Sequence, residues 1–273
     1  MVMADISLED YFGRIGYDGP RTATLETLQA LHRHHTETIP FENLSPLLKR
    51  PVLLDPASLA RKLIHERRGG YCFEQNLLFR HVLEALGFAV TGLSARVLWN
   101  APEGVITPRS HMLLRVEADG QSWVADVGFG GQVLTAPLRL EPEIEQTTPH
   151  EPFRLMPRNG DFVMQSKVRD QWMTLYRFDL QPQELPDYEV SNWHVSTHPE
   201  SIFVNGLLAS RVVPGKRFAL MNNELAVHHT GADSEKRTLK TAAELRHALG
   251  HEIGITLPDA PELDAVLQRF TTP

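Results

Sequence analysis

The one cysteine of this 273-residue chain, Cys72, lies in the segment Arg67-Arg68-Gly69-Gly70-Tyr71-Cys72-Phe73-Glu74-Gln75-Asn76. It opens a run to Leu86 in which Leu78, Val82, Leu83 and Leu86 recur at helical spacing, with Gly87 where a C-terminal cap belongs. The pattern predicts a helix whose first turn carries the thiol. Unpaired backbone N–H groups and the positive end of the helix dipole meet at that turn, and both favour the thiolate, the reactive form. The glycines before it allow close approach of backbone or substrate. A single cysteine is by itself as readily a small buried apolar residue, so the chemistry depends on partners elsewhere in the chain.

A thiol nucleophile needs a base to take its proton, and the base needs an acceptor that orients it. His111 starts one short apolar run, 111–116, and Asp126 falls at the end of another, 123–127. Ala118-Asp119-Gly120-Gln121 joins them with an Asp-Gly hairpin signal. Antiparallel pairing across so short a turn sets the start of the first run beside the end of the second. His111 and Asp126 are thereby expected to meet, with Cys72 facing the ring from the helix start. Taken singly, His111 is equally a strand-end histidine and Asp126 a turn residue.

The elements that must position these residues are legible in outline. Residues 7–16 read as a short helix with a serine cap and a terminal glycine, and 24–36 as a second helix with Leu25, Leu28 and Leu31 on one face. Asp55-Pro56 caps a third, with Leu59, Leu63 and Ile64 as its buried stripe. The first ninety residues are therefore expected to be helical. From Phe88 the texture changes to strand, first at 88–99, then in the two runs around Asp119-Gly120. Further strand candidates lie at 153–156, 162–166, 172–178 and 217–221, separated by proline-rich connections, so the middle reads as an antiparallel barrel or sandwich. Thr241-Ala242-Ala243-Glu244 is a capping-box pattern for a helix closed by Gly250, and 261–270 carries Leu263, Val266, Leu267 and Phe270 at helical spacing.

The composition narrows the partners. A net charge of −7 argues against nucleic acid or an anionic membrane as the main partner, since both favour a basic face. No apolar run reaches the length of a membrane span, and the acidic start of the chain lacks the plan of a signal peptide. One cysteine makes no intrachain disulfide, which points to a reducing cytoplasm. His32, His34 and His35, and the adjacent pair His228-His229, lack the spacing of a metal site and are expected on solvated surfaces.

Three segments, Arg68-Gly69-Gly70-Tyr71-Cys72-Phe73-Glu74-Gln75-Asn76, Ser110-His111-Met112-Leu113-Leu114 and Val124-Ala125-Asp126-Val127-Gly128-Phe129-Gly130, resemble the signature segments of the arylamine N-acetyltransferases. Tyr11 to Tyr17 and Pro40-Phe41-Glu42-Asn43 are similar to that family's N-terminal motifs, and 191–199 with Ser201-Ile202-Phe203 extends the likeness more loosely. The resemblance implies an α+β fold in three parts around a cysteine-protease-like core. These are a helical bundle with the cysteine (1–90), an antiparallel β-barrel with the histidine and aspartate (91–205) and an α/β lid (206–273). It implies a cytoplasmic enzyme with Cys72, His111 and Asp126 as catalytic triad, carrying acetyl from acetyl-CoA to arylamines, arylhydrazines or N-hydroxyarylamines, with no permanently bound cofactor. It also implies a buried supporting ion pair between Glu42 and Arg68.

Residue type suggests the remaining site candidates. Phe129 and Phe203 would pack a planar acceptor, and the Phe73 N–H at the helix start would meet an oxyanion. Gly128, Gly130 and Gly131 would let a pantetheine arm approach the backbone. Two other classes share these features: a papain-like or transglutaminase-like cysteine hydrolase with the same triad, and a binding module with an inert thiol.

Overall fold

The helix signals near the start of the chain act through their caps. In the computed structural model, which describes residues 6–102 and 104–271, the Ser7 hydroxyl accepts the Asp10 N–H (3.2 Å) at the start of α1, Leu8–Ile15, and Gly16 ends it at φ +66°. Thr24 caps α2, Leu25–Thr38. A two-residue strand β1, Phe41–Glu42, and a single turn α3, Leu44–Leu47, follow. Asp55 caps α4, Pro56–Leu59, which runs on as a π-helical turn, Ala60–His65. Then comes α5, Cys72–Ala85.

The first eight residues of α5 are all buried, Cys72 to Phe79, polar ones included. The helix is central rather than amphipathic, enclosed by α2 and by the barrel strands. Among the described residues no helix is long and apolar enough to cross a membrane.

The seven-stranded antiparallel sheet is built from β2 (Ala89–Val97), β3 (Arg109–Ala118), β4 (Gln121–Ala125), β5 (Leu138–Arg139), β6 (Phe153–Arg158), β7 (Asp161–Val168) and β8 (Gln171–Phe178), in the order β5-β4-β3-β2-β8-β7-β6. Its edges nearly meet. The Gln146 backbone exchanges two hydrogen bonds with Phe153 of β6 (2.8 and 2.9 Å), while the Gln146 side chain bonds both backbone groups of Arg139 on β5 (2.8 and 2.9 Å). One glutamine thus spans the seam, making the sheet a nearly closed barrel rather than a sandwich.

Strand β3 has two apolar faces because it serves two cores. Leu113 points into the barrel with Val124, Leu155 and Tyr176, while Met112, Leu114 and Val116 pack on the helical bundle with Leu78 and Phe79. His111 shares the parity of Leu113, so it faces the barrel end.

After the barrel come α6 (Leu185–Thr197) and α7 (Ile202–Asn205). The chain then forms β9 (Leu208–Val213), β10 (Lys216–Met221), β11 (Glu224–His229) and β12 (Glu235–Thr238), and ends with α8 (Ala242–His247) and α9 (Leu263–Gln268). Strand β1 joins the edge of this second sheet, ordered β1-β9-β10-β11-β12. Two segments cross between the parts. Tyr188 and Val195 of α6 belong to the core of the helical bundle, and Leu44, Leu47 and Leu48 belong to the core of the C-terminal part.

The structure corrects the expectation for the N-terminal histidines. His32 and His35 are fully buried, and both rings meet Phe79 edge-on, with centroids 5.8 and 5.4 Å away. Their neighbours along α2 are polar, but the face they occupy is turned inward: the His35 ring bonds Gln75 of α5, and the His32 ring accepts the Asp126 N–H just past the end of β4.

Candidate active site

The double glycine and the Pro40-Phe41-Glu42-Asn43 segment owe their sequences to one contact. Gly70 N–H donates to the Pro40 carbonyl (3.3 Å), and Glu42 N–H donates to the Gly70 carbonyl (3.1 Å). A Cβ on Gly69 would fall 2.2 Å from that Pro40 oxygen, so only glycine fits there. This pairing fixes the chain as it enters α5. Beneath it Arg68 Nη2 lies 2.9 Å from Glu42 Oε1 and 3.1 Å from Ser45 Oγ, with both charges buried. Lys62 completes the cluster with its ammonium 2.6 Å from Glu74. Glu74 also accepts the Tyr71 N–H (3.1 Å), capping α5 immediately before the cysteine.

Three consecutive polar residues of α5 reach into three parts of the molecule. Glu74 joins the charge cluster. Gln75 bonds His35 (3.0 Å) and donates to the Gly70 (2.9 Å) and Pro40 (3.2 Å) carbonyls. Asn76 crosses to the barrel, donating to the Met112 carbonyl (2.8 Å) and to Asp126 Oδ1 (3.1 Å) and accepting the Val127 N–H (3.0 Å).

The barrel supplies the other two residues. Asp119 and Gly120 form the two-residue turn at φ +50° and +72°, and the ladder pairs Ala118 with Gln121 through to Leu114 with Ala125. Continuing that register sets Asp126 across from Leu113, diagonal to His111 on the same face. His111 Nε2 and Asp126 Oδ2 are 2.7 Å apart. With Nε2 turned to the carboxylate, Nδ1 is the ring nitrogen left for the sulfur; Cys72 is close enough to act on the charge of the ring, and its Sγ lies 3.7 Å from the carbonyl of Ser110, the residue before His111. The structure therefore brings Cys72, His111 and Asp126 together in series. Cys72 is 4% exposed and His111 3%.

The electrostatics are those of a charged pair shielded from water. Burial opposes charge on the His111 ring, but the Asp126 carboxylate outweighs it, with Cys72 acting in the same sense, and the ring is pushed up to about 10. Burial acts on Asp126 in the opposite direction and is overcome by His111, the Gly128 N–H and the Asn76 amide, which hold the carboxyl below its ordinary range. Four donors surround that carboxylate: His111 and the Tyr176 hydroxyl (2.9 Å) at Oδ2, and Asn76 and the Gly128 N–H (3.0 Å) at Oδ1. Burial, with the Asp126 charge adding to it, raises Tyr176 well above the usual phenol value, so its hydroxyl stays a donor.

Comparisons with known proteins place the whole chain in one family. A sequence model described as N-acetyltransferase matches residues 24–262. Over 269 residues the chain is 46% identical to arylamine N-acetyltransferase of Mycobacterium tuberculosis, covering 97% of this chain and 95% of the relative. The chain belongs to the arylamine N-acetyltransferase family. A Salmonella typhimurium relative named arylamine N-acetyltransferase / N-hydroxyarylamine O-acetyltransferase is 39% identical over 272 residues, 97% and 96% of the two chains. Mycobacterium marinum arylamine N-acetyltransferase, solved in complex with CoA, superposes with a TM-score of 0.94 at 41% identity, covering 97% of this chain and 100% of that one.

Around Cys72, His111 and Asp126 of this family member the remaining candidates fall at different distances. Phe129 stands edge-on to the His111 ring, with centroids 5.1 Å apart at 80°, and packs on Tyr176 at 5.0 Å. Phe203 packs on Tyr71 (5.3 Å) and Phe41 (6.2 Å), one residue removed from Cys72. The Phe73 ring is buried against Tyr71 and Tyr188. Gly130 adopts φ +81° beside the Phe41 ring. At Gly128 a Cβ would lie 2.7 Å from Cys72 Cα and 2.8 Å from Asn76 Nδ2, so the glycine makes room for α5. Gly128→Ala is accordingly expected to push the cysteine turn out of place, destabilising the fold by about 1–3 kcal/mol and lowering activity per folded molecule. Denaturant unfolding alongside a turnover assay measures both.

Sequence reasoning missed Asn76, Tyr176 and His32. Asn76 offered a signal, because a Glu-Gln-Asn run facing the core of a central helix needs buried partners. Tyr176 offered none, since its approach to Asp126 depends on barrel closure.

Proposed function

We propose that this chain acetylates arylamines, arylhydrazines and N-hydroxyarylamines with acetyl-CoA as donor, through a thioester on Cys72. The observation that carries the proposal is the series Cys72–His111–Asp126, with 2.7 Å between ring and carboxylate, in a chain of this family. The Asp126 carboxylate pushes the His111 ring up to about 10, so an imidazolium stands beside the sulfur and favours negative charge as it develops there. The thiolate attacks the acetyl carbonyl. The tetrahedral oxyanion is met by first-turn N–H groups of α5, which have no i−4 carbonyl to bond, that of Phe73 foremost. The C–S bond to CoA breaks, the CoA sulfur leaves as the thiol with the proton that His111 gives up, and acetyl stays on Cys72 beside a now neutral ring. An aromatic amine, uncharged at neutral pH because its basicity is low, then attacks the new thioester and passes its proton to His111.

Phe129, standing over the His111 ring, is the aromatic we assign to the acceptor, and Phe203 borders it through Tyr71. Gly130 is the glycine we assign to the pantetheine path. Glu42 and Arg68 support the turn that carries Cys72 without taking part in chemistry. A reducing cytoplasm suits an enzyme whose single thiol must stay free. The near-complete enclosure of Cys72 and His111 favours transfer over hydrolysis, because it limits the access of water to the acyl-enzyme.

Two measurements test this reading. Initial rates at varied acetyl-CoA and arylamine should give parallel double-reciprocal lines, as a two-stage transfer requires, and intersecting lines would overturn it. Iodoacetamide should alkylate Cys72 nearly as fast at pH 6 as at pH 8. A rate that climbs about tenfold per pH unit, as for an ordinary thiol with a pKa of about 8.5, would remove the ion pair.

A further inference from the structure

We infer that His32 is a positioning residue for Asp126, holding its peptide by accepting a hydrogen bond that no strand supplies. The inference rests on the triad reading above. The β3–β4 ladder ends at the pair Leu114–Ala125, and β5 pairs only with Trp123 and Val124 of β4. Asp126 and Val127 therefore leave the sheet with buried N–H groups, and such groups need an acceptor. Two helices of the bundle provide it. His32 Nε2 on α2 accepts the Asp126 N–H (3.2 Å), and Asn76 Oδ1 on α5 accepts the Val127 N–H (3.0 Å). The bundle, not the barrel, thus sets where the carboxylate-bearing peptide sits.

His32 is specialised for this one bond. Because Nε2 accepts, the neutral ring carries its proton on Nδ1, and that buried nitrogen has no hydrogen-bond partner among the described residues. Phe79 closes one side edge-on, His35 lies along the same helix, and the Asp126 carboxylate is the charged group facing the ring. Burial outweighs that carboxylate and holds the ring neutral, near a value of about 4, so it remains an acceptor at physiological pH. A residue that served packing alone would need no buried polar nitrogen without a partner. Without the acceptor, the Ala125–Asp126 peptide can rotate, and the bonds from Asp126 to His111 and Tyr176 loosen with it.

The test compares His32→Gln with His32→Asn in the full chain. The two amides share their chemistry, but a glutamine oxygen reaches the position of Nε2 whereas an asparagine oxygen stops at that of Nδ1. Per folded molecule, His32→Gln should keep kcat within about threefold of the parent. His32→Asn should lose about 10²-fold, the scale of a misplacement near 1 Å, with the KM values for acetyl-CoA and arylamine little changed. In His32→Asn the alkylation of Cys72 should also slow at pH 6 relative to pH 8, a shift that lost stability alone does not produce. Equal kcat and equal alkylation profiles in the two variants, at whatever level, overturn the inference. That outcome is separable from failure of the triad itself, which Cys72→Ala in the parent chain reports independently.

Discussion

Cys72→Ala is expected to abolish acetyl transfer while leaving the fold in place. The acetyl group has one route through the proposed mechanism, and its covalent carrier is the sulfur. Cys72 is the only cysteine in the chain, so no second thiol can take over. The loss should be on the order of 10⁶ in kcat, the scale found when a covalent nucleophile is deleted from an intact site. Stability should change little, because the substitution removes one sulfur atom at the edge of the core and the capping contacts of α5 come from Glu74, not from Cys72. Turnover by the purified variant, with a thermal melt as control, measures both. Activity above a few per cent in a folded variant would eliminate the thioester route.

Asp126→Asn should lower kcat by about 10⁴, and the reason can be read from the donors around the carboxylate. At Oδ1 the site presents two N–H donors, from Asn76 and Gly128, neither of which can turn into an acceptor while the backbone stays in place. At Oδ2 it presents the Tyr176 hydroxyl and the His111 ring, both of which can accept if their protons move. The asparagine NH₂ therefore settles on the Oδ2 side. His111 must then place its proton on Nδ1, the nitrogen that faces Cys72, and can no longer take the thiol proton there. The variant should fold and bind acetyl-CoA, and its Cys72 alkylation should become steeply pH-dependent. Retention of parental kcat would show that the carboxylate has no part in setting the ring.

How far the sequence could be read depended on whether a feature was local. The hairpin that brings His111 to Asp126 follows from Asp119-Gly120 and two apolar runs, because a two-residue turn leaves one register open. Ser7, Thr24, Asp55 and Thr241 mark helix starts because a capping side chain bonds only three residues on. Helix α6 was not legible. Its sequence mixes Val190, Asn192, Trp193 and Thr197 without a clear apolar stripe, and it is held by tertiary contacts. Asn192 receives the Tyr71 hydroxyl and donates to the Val52 carbonyl, and Tyr188 bonds the Leu93 carbonyl. Strands β9, β11 and β12 were missed for a related reason, since each gains its pattern only from the sheet it joins. The burial of His32 and His35 could not be inferred from α2 alone, because their hydrogen-bond partners lie on α5, on α1 and beyond the end of β4.

The site divides in the same way. Cys72, His111 and Asp126 could be singled out because nucleophile, base and acid are recognisable residue types in elements with local signals. The groups that hold them, Asn76, Tyr176 and Gly128, act across the junction of bundle and barrel. Their roles appear only once α5 is packed against the end of β4.

The most direct measurement is the intact mass of the protein after mixing with acetyl-CoA alone. A gain of one acetyl group, mapped to Cys72 and discharged when an arylamine is added, is the predicted result. An unchanged mass in protein that still acetylates the amine when both substrates are present would contradict the account.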